Sequence, residues 1–230
     1  MKININYSKV VLLFYILCFG CNKTDIENDL RILVKGKVVN QGLAIGSAEI
    51  SVNTDSGGYG ANMVKLGGGT SNPDGTFEFV SLYGQNEFFE IEVSYQDNYS
   101  SYLYLTNSEN YYPQDLTIDI GTIELREIAN FNYNFTRTSP QGTTLEYTMF
   151  YTNPNCVEYF ENNVLNPVQS SCYEQFTFSR TLNDINSEVN QSLSVPLGSN
   201  IEFSYSIAGG ALITEIITVN QSNFDYDFSY

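Results

Sequence analysis

The sequence predicts an all-β fold in which two β-sandwich domains follow an N-terminal signal segment. Apolar and polar residues alternate with a period of two along most of the chain, as in residues 89–93. Clusters of glycine, asparagine, aspartate and proline separate these runs, as at residues 67–69 and 72–75. Short alternating strands divided by turn residues are typical of sandwiches and barrels. After the signal, only residues 182–189 would fit a short helical turn.

Residues 1–20 are predicted to be a secretory signal peptide. Lys2 and Lys9 give a positive start, and residues 10–19 form an almost unbroken apolar run that Gly20 closes. A charged start, a short apolar run and a small residue are the layout of such a signal. The run is too short to span a bilayer, which takes about 20 apolar residues.

Cys21 stands where the apolar run ends and the polar chain begins. The Gly20–Cys21 junction resembles the lipobox of bacterial lipoproteins, in which the cysteine is diacylated and becomes the mature N-terminus. The resemblance implies lipidation of Cys21 and a lipid-anchored location at the outer membrane, on its cell-surface or periplasmic face. Each buried CH₂ of an acyl chain contributes about 0.8 kcal/mol to such an anchor. The alternative is an ordinary secreted protein in which Cys21 is a free thiol.

The chain is strongly acidic, with 26 Asp and Glu against 10 Lys and Arg and a formal net charge of −16. Such a surface repels phosphate groups, so nucleic acid is excluded as a partner. The acidic residues are dispersed rather than clustered, which is typical of a soluble exported domain. Residues 21–29 are predicted to be the lipidated cysteine and a flexible, acid-rich tether. That acidic stretch is equally consistent with a signal for the outer face of the membrane.

The absence of histidine limits the possible chemistry. It excludes Ser-His-Asp and Cys-His triads and histidine-based zinc sites. The sequence predicts neither a cofactor nor a metal. A carboxylate-dependent hydrolase stays chemically open, because acids and tyrosines suffice for it, but no feature selects a pair among the many acids.

Cys156 and Cys172 remain after removal of the signal and lipidation of Cys21. An even pair in an exported domain predicts a disulfide. The bond would close a loop of about 15 residues, which is worth roughly 3 kcal/mol in the chain-entropy model. The intervening segment has weak strand character and is predicted to be a loop, and two reduced cysteines are the alternative.

Residues 30–126 are predicted to form the first sandwich. Within them, residues 31–125 resemble the carboxypeptidase regulatory-like family, a small transthyretin-like β-sandwich. Four stretches carry the resemblance: VKGKV at 34–38, GLAIGSAEI at 42–50, TSNPDGTFEF at 70–79 and IGTIEL at 120–125. Asp74 and Gly75 supply the central turn, since glycine adopts positive φ without strain. The resemblance implies a non-catalytic accessory domain and no active-site residues.

Residues 127–230 are predicted to form an immunoglobulin-like sandwich of about seven strands. Alternating aromatic residues mark its first strand in residues 131–135 and its last strand in residues 224–230. The boundary between the sandwiches is placed at residues 126–129, where two strand runs are separated. The two halves show no clear self-similarity, so no repeat is predicted.

Five tyrosines near one end of the first domain are candidate ligand-binding aromatics. They are Tyr99, Tyr102, Tyr104, Tyr111 and Tyr112. Exposed aromatic rings near polar residues can stack on sugars or anchor a protein partner. Tyrosine is common throughout this chain, however, and the favoured interpretation is ordinary half-buried strand residues.

Two other kinds of site were weighed against simpler interpretations. Several acids would offer oxygen ligands to calcium: Asp25, Glu27, Asp29, Asp55 and Asp74. None stands in a D-x-D-x-D-G loop, so no metal site is predicted. Lys35 or Lys37 could form an isopeptide bond with Asp119, although both lysines more simply cover a sheet edge.

The sequence therefore predicts a non-catalytic exported lipoprotein that acts as a binding or assembly module at the outer membrane. Loops at the sandwich ends or an exposed sheet edge would make the contacts, with an envelope protein or a glycan as partner. One alternative is a glycan-binding surface lipoprotein of an uptake system, which would require Tyr111 and Tyr112 to be exposed side by side. A carboxylate-dependent hydrolase is the other alternative.

Overall fold

The computed structural model describes residues 30–55, 63–84, 88–108, 111, 113 and 115–230. Every regular element in these ranges is a β-strand, so the predicted all-β fold is confirmed. The predicted signal peptide, Cys21 and the tether lie outside the described residues. No helix in the described part of the chain is long and apolar enough to span a membrane.

The first sandwich consists of two sheets formed by the first eight described strands. These are β1 (Leu30–Asn40), β2 (Leu43–Ala44), β3 (Glu49–Asp55), β4 (Met63–Thr70), β5 (Thr76–Tyr83), β6 (Phe88–Ser94), β7 (Tyr102–Asn107) and β8 (Thr117–Glu124). In one sheet β1 is central, with β5 antiparallel on one side and β8 parallel on the other. The other sheet has the order β4-β3-β6-β7.

The period-two pattern places one face of each strand in a core. In β6, Phe89, Ile91 and Val93 are fully buried, while Glu90 and Glu92 lie on the outer face. Burial of such apolar area is the main favourable contribution to folding, about 25 cal/mol per Å². The alternation read in the sequence therefore determines which face of the sheet is inside.

Asp74 and Gly75 form the turn that leads into β5, as the sequence predicts. Gly75 has a φ of +80°, and a Cβ there would lie 2.4 Å from the carbonyl oxygen of Val38. The Asp74 carboxylate accepts hydrogen bonds from the backbone N–H and the hydroxyl of Thr76. Only glycine fits this position, because both the left-handed backbone and the close approach exclude a side chain.

The glycine cluster at residues 67–69 lies inside β4, so the predicted break between strands at this position is wrong. β4 approaches β5 closely: a Cβ at Gly67 would lie 3.0 Å from the Ser81 Cα, and a Cβ at Gly69 would lie 3.0 Å from the Phe79 ring. The glycines therefore allow close packing of two strands rather than a turn.

The second sandwich is formed by seven later strands in two sheets. These are β9 (Ile128–Thr136), β10 (Leu145–Thr152), β14 (Gln175–Leu182), β15 (Glu188–Pro196), β16 (Asn200–Ile207), β17 (Ile213–Thr218) and β18 (Asn223–Ser229). One sheet has the order β15-β9-β18 and the other has the order β14-β10-β16-β17. Residues 183–187, between β14 and β15, form a bend without a helical turn.

The two sandwiches share one topology, although the sequence shows no repeat. When the two-residue strand β2 is left out, each sandwich has seven strands from its own half of the chain. In each sandwich the first strand is paired antiparallel with the fourth strand on one side and parallel with the last strand on the other. The remaining strands pair in the same order, β4-β3-β6-β7 in the first sandwich and β14-β10-β16-β17 in the second. This order differs from the predicted immunoglobulin-like one, in which the second and fifth strands share a sheet with the first and fourth. The parallel pairing of the first and last strands joins residues too far apart in the chain for a local pattern to reveal it.

A hairpin inserted between β10 and β14 joins the two halves of the chain. It contains β11 (Cys156–Glu161), β12 (Val164–Leu165) and β13 (Ser171–Cys172). This segment was predicted to be a loop, but β11 pairs in parallel with β7 and extends the first sandwich. The expected disulfide joins Cys156 to Cys172. The side chain of Cys156 is buried in the core of the first sandwich, so the second half of the chain completes a sheet of the first half.

Candidate binding surfaces

The edge strand β17 is the counterpart, in the second sandwich, of β7 in the first. Both strands are last in the order of four strands that the two sandwiches share, β4-β3-β6-β7 and β14-β10-β16-β17. The outer edge of β7 is covered by β11, whereas β17 ends its sheet among the described residues. An edge strand presents unpaired backbone N–H and C=O groups to any strand that approaches it.

Apolar side chains are exposed along this uncovered edge. Leu212, Ile213 and Ile216 are 72%, 48% and 60% exposed. Ile213 is paired with Tyr205 at the position where Tyr102 is paired with Val93 in the first sandwich. Tyr102 is only 4% exposed, in a strand that β11 covers. The greater exposure of Ile213 marks apolar surface that an added strand would bury.

Glu215 points inward from the middle of β17. Its carboxylate accepts hydrogen bonds from the hydroxyls of Tyr205 (3.1 Å) and Tyr226 (2.9 Å). Desolvation and this carboxylate acceptor raise the pKa of Tyr226 well above its usual range. An inward-pointing charge is one of the features that keep an exposed edge from unselective pairing.

The outer face of the same sheet is lined with hydroxyl groups. The hydroxyls of Thr148 and Ser179 lie 2.7 Å apart, and those of Ser204 and Thr214 are also separated by 2.7 Å. A shallow depression of about 360 Å³ lies over this face and reaches Leu212 beside β17. Polar hydroxyls therefore adjoin the apolar edge, as the rim of a protein interface adjoins its core.

The predicted tyrosine set does not form one exposed platform. Tyr102 and Tyr104 are buried in the core of the first sandwich, so neither candidate presents the exposed ring that ligand binding requires. Their alternation in β7 turns both rings inward. Tyr99 and Tyr111 are half-buried, and Tyr112 lies outside the described residues.

Tyr99 and Tyr102 instead make hydrogen bonds within the fold. The Tyr102 hydroxyl donates to Glu158 on β11 at 2.7 Å, and the Tyr99 hydroxyl donates to Glu127 at 3.1 Å. Desolvation, followed by the Glu158 acceptor, raises the pKa of Tyr102 far above its ordinary value. Glu127, the partner of Tyr99, lines a cleft between the sandwiches.

Lys35 and Asp119 are directly paired across β1 and β8, with Nζ and Oδ2 3.2 Å apart. Both side chains are about half exposed, so the contact is a surface ion pair. Lys37 pairs instead with Thr76 and Thr122.

The acids weighed as calcium ligands do not converge in the described residues. Asp74 binds Thr76 within its own turn, and Asp25, Glu27 and Asp29 lie outside the described residues, as does the side chain of Asp55. No group of three or more metal-ligating side chains is found in the part of the chain that the structure describes.

Glu92 is a described carboxylate whose pKa is raised above its ordinary value. Desolvation is the main cause, and the negative charges of Glu90 and Glu49 add to it. These residues lie on the outer face of a sheet rather than in a cleft. Partial desolvation on the sheet surface, with like-charge crowding added to it, accounts for the raised pKa without a catalytic role.

The uncovered edge was missed by the sequence analysis. The apolar run of residues 212–219 predicts a strand, but an apolar run alone does not distinguish a buried strand from an exposed one. The available signal was Glu215, the one charged residue of β17, because an inward-pointing charge is typical of a guarded edge strand.

No protein-family model matches the chain, and no curated protein matches it. The resemblance of residues 31–125 to the carboxypeptidase regulatory-like family therefore stays a prediction.

Several solved structures are weakly similar. The Bacillus anthracis TIE protein is 10% identical with a TM-score of 0.31, and the match covers 87% of this chain and 34% of that one. A streptococcal ancillary pilin is 11% identical with a TM-score of 0.32, over 88% of this chain and 63% of that one. The shaft pilin SpaA from Lactobacillus rhamnosus GG is 6% identical with a TM-score of 0.26, over 88% and 98%. Likenesses this weak establish neither the fold nor the function of this chain, which spans about a third of the Bacillus protein.

Proposed function

We propose that this protein is a non-catalytic exported lipoprotein that serves as a binding or assembly module at the outer membrane. The uncovered apolar edge of β17 is the observation that carries the proposal. A protein partner adds an extended strand to this edge and buries Ile213 and Ile216. Backbone hydrogen bonds supply affinity in this mode of recognition, and side-chain pockets supply specificity.

The first sandwich supplies an internal example of the same contact. There, β11 adds in parallel to β7, and Phe160 of β11 stacks on Tyr104 with ring centroids 4.5 Å apart. Because β17 holds the equivalent position in the same topology, it has the geometry to accept a strand in the same way.

The N-terminal sequence supports the location of this module. The charged start, apolar run and Gly20–Cys21 junction favour export and lipidation, and the polar residues that follow suit a tether. Protease treatment of intact cells, with permeabilised cells as the control, tests the location. Digestion of the second sandwich on intact cells supports the outer face of the membrane. Protection on intact cells, with digestion after permeabilisation, places the module on the periplasmic face.

Site-specific photo-cross-linking in living cells tests the edge itself. A photoreactive residue replaces Ile216 on β17, and the matched control replaces Thr177 on β14, the opposite edge of the same sheet. We expect a discrete protein adduct from position 216 and none from position 177. Introducing Ile213→Lys should abolish the adduct, because a charge on an edge strand opposes pairing. Equal adducts at both positions, or none at position 216, would contradict strand addition at β17.

A further inference from the structure

A cleft of about 600 Å³ lies where the two sandwiches meet. The β1–β2 turn, the β8–β9 connection, the β15–β16 turn and Asn220 line it. Small-molecule sites commonly occupy volumes of about 300–1,000 Å³ at such domain junctions. No residue of β17 lines the cleft, so it is separate from the edge described above.

The β8–β9 connection, which lines the cleft, is held in place by contacts on both of its sides. The guanidinium of Arg126 lies 3.8 Å from the ring centroid of Tyr173, and the Tyr173 hydroxyl donates to the carbonyl oxygen of Glu124. The backbone N–H groups of Ser100 and Ile128 bond to Arg126 and Asn98 at 2.8 Å. These contacts fix the sandwiches relative to each other at this point, so the cleft is preformed.

Asn40 of the first sandwich and Ser199 of the second are among the residues that line the cleft. Their side-chain oxygens, Oδ1 and Oγ, are buried and have no hydrogen-bond partner among the described residues. A buried polar group without a hydrogen bond destabilises the folded state. A bound molecule that donates to Asn40 and pairs with Ser199 would offset both costs.

Charged groups of both signs surround these atoms. Arg126 forms no ion pair with another described residue, and its stacking on Tyr173 orients its N–H groups. Glu127 accepts a hydrogen bond from Tyr99 at 3.1 Å, and Glu124 accepts one from the backbone N–H of Gln41 at 2.6 Å. Each carboxylate retains further acceptor capacity. The cleft therefore offers acceptors and donors together.

We propose that this cleft binds a neutral saccharide unit. A sugar hydroxyl both donates and accepts, so it matches the Asn40 oxygen, the Ser199 hydroxyl and the Arg126 donors at once. Pro196 and Leu197 supply an apolar wall for the C–H face of a sugar ring. The two glutamates would repel an anion and Arg126 would repel a cation. A neutral polyol can form hydrogen bonds with all of these groups.

Ligand-observed saturation-transfer NMR on the full chain tests this inference. The chain is kept in dodecylphosphocholine, which has no sugar headgroup, and the probes are glucose, galactose, N-acetylglucosamine, maltose and lactose. At least one probe should bind. Ser199→Ala should weaken that binding about three- to tenfold, the range expected for one lost hydrogen bond. The matched control is Ser139→Ala, which removes another buried hydroxyl without a partner, outside the cleft lining, and should leave binding unchanged.

A second pair of variants tests the cleft by complete loss of binding, so the result does not depend on measuring a small change in affinity. Asn220→Trp fills the mouth of the cleft from an exposed position and should abolish binding, while Ile185→Trp adds the same bulk to an exposed loop elsewhere and should not. Failure of every sugar to bind would overturn the proposal. Binding that survives Asn220→Trp, or binding of the zwitterion alanyl-alanine in place of any sugar, would overturn it equally.

Discussion

Cys156 and Cys172 are directly paired across β11 and β13, and their disulfide closes a hairpin that belongs to the second half of the chain but packs on the first. Cys156 is buried with the core of the first sandwich, whereas its partner Cys172 is exposed to solvent. The bond therefore holds the strand that extends the first sheet.

Loss of this disulfide should weaken both sandwiches together. The double change Cys156→Ala and Cys172→Ala removes a cross-link over a separation of 16 residues, worth about 3 kcal/mol. Since β11 bridges the halves, urea denaturation followed by circular dichroism should show one transition that moves to lower urea. A reducing agent should lower the stability of the native chain but not of the variant. Two separate transitions, with the first sandwich unaffected, would contradict the bridging role of the hairpin.

The hydroxyl of Tyr102 should contribute to stability through Glu158. Tyr102→Phe removes a 2.7 Å hydrogen bond to a carboxylate on β11, and a bond to a charged group is worth about 1.5–3 kcal/mol. Glu158 is half-buried, so the lower end of that range is expected, measured as the free energy of unfolding in urea.

Tyr104→Phe is the matched control for Tyr102→Phe. Both rings are buried in β7, but the Tyr104 hydroxyl has no hydrogen-bond partner among the described residues. Its removal should be neutral or slightly stabilising, because an unsatisfied buried hydroxyl carries a desolvation cost. Equal destabilisation by both changes would show that packing, rather than the bond to Glu158, accounts for the effect.

Lys35 and Asp119 should remain an ion pair and form no covalent bond. Both side chains are about half exposed and form an ion pair, whereas amide formation would require a neutral amine and an activated carboxyl group. The intact mass of the mature chain should therefore show no loss of water beyond its known modifications. Asp119→Asn keeps the acceptor for the Gly121 N–H and removes the charge, so it should change stability by less than about 1 kcal/mol. A mass lower by one water that Asp119→Ala abolishes, or a mass lower by one ammonia in Asp119→Asn, would show a cross-link.

The sandwich cores were predictable because they depend on local periodicity. In β9, Phe131, Tyr133 and Phe135 alternate with polar residues, and all three are buried. In each strand of this kind, the alternation of apolar and polar residues indicates which face is buried. The same rule fails at residues 67–69, where glycine serves close packing between strands rather than a turn.

The candidate binding surfaces were not predictable, because they depend on pairing between distant residues. The strand β11 is stabilised by β7, more than 50 residues earlier, and its own sequence shows only weak strand character. Whether β17 is covered depends equally on which strand lies beside it, and no local pattern contains that information. The cleft between the sandwiches was not predictable for the same reason, because residues from both halves of the chain line it.

Glu92 should lower the stability of the folded protein at neutral pH. Desolvation, with the charges of Glu90 and Glu49, raises its pKa in the folded state above the ordinary value. The folded state then binds the proton more tightly than the unfolded state does, so ionisation of Glu92 favours unfolding. Stability falls as the pH rises from the ordinary to the raised pKa, and the cost is fully present above the raised pKa.

Glu92→Gln removes this cost, so the variant should be more stable than the native chain at neutral pH. The side chain keeps contact with solvent, which screens the effect, and the gain should be about 0.2–1 kcal/mol in urea unfolding. Below the ordinary glutamate pKa the carboxyl is protonated in both states, and the gain should vanish. Glu174→Gln, at an exposed position outside the strands, serves as the control and should show no gain at either pH. A gain that persists unchanged in acid would point to better packing of the amide instead of relief of the buried charge.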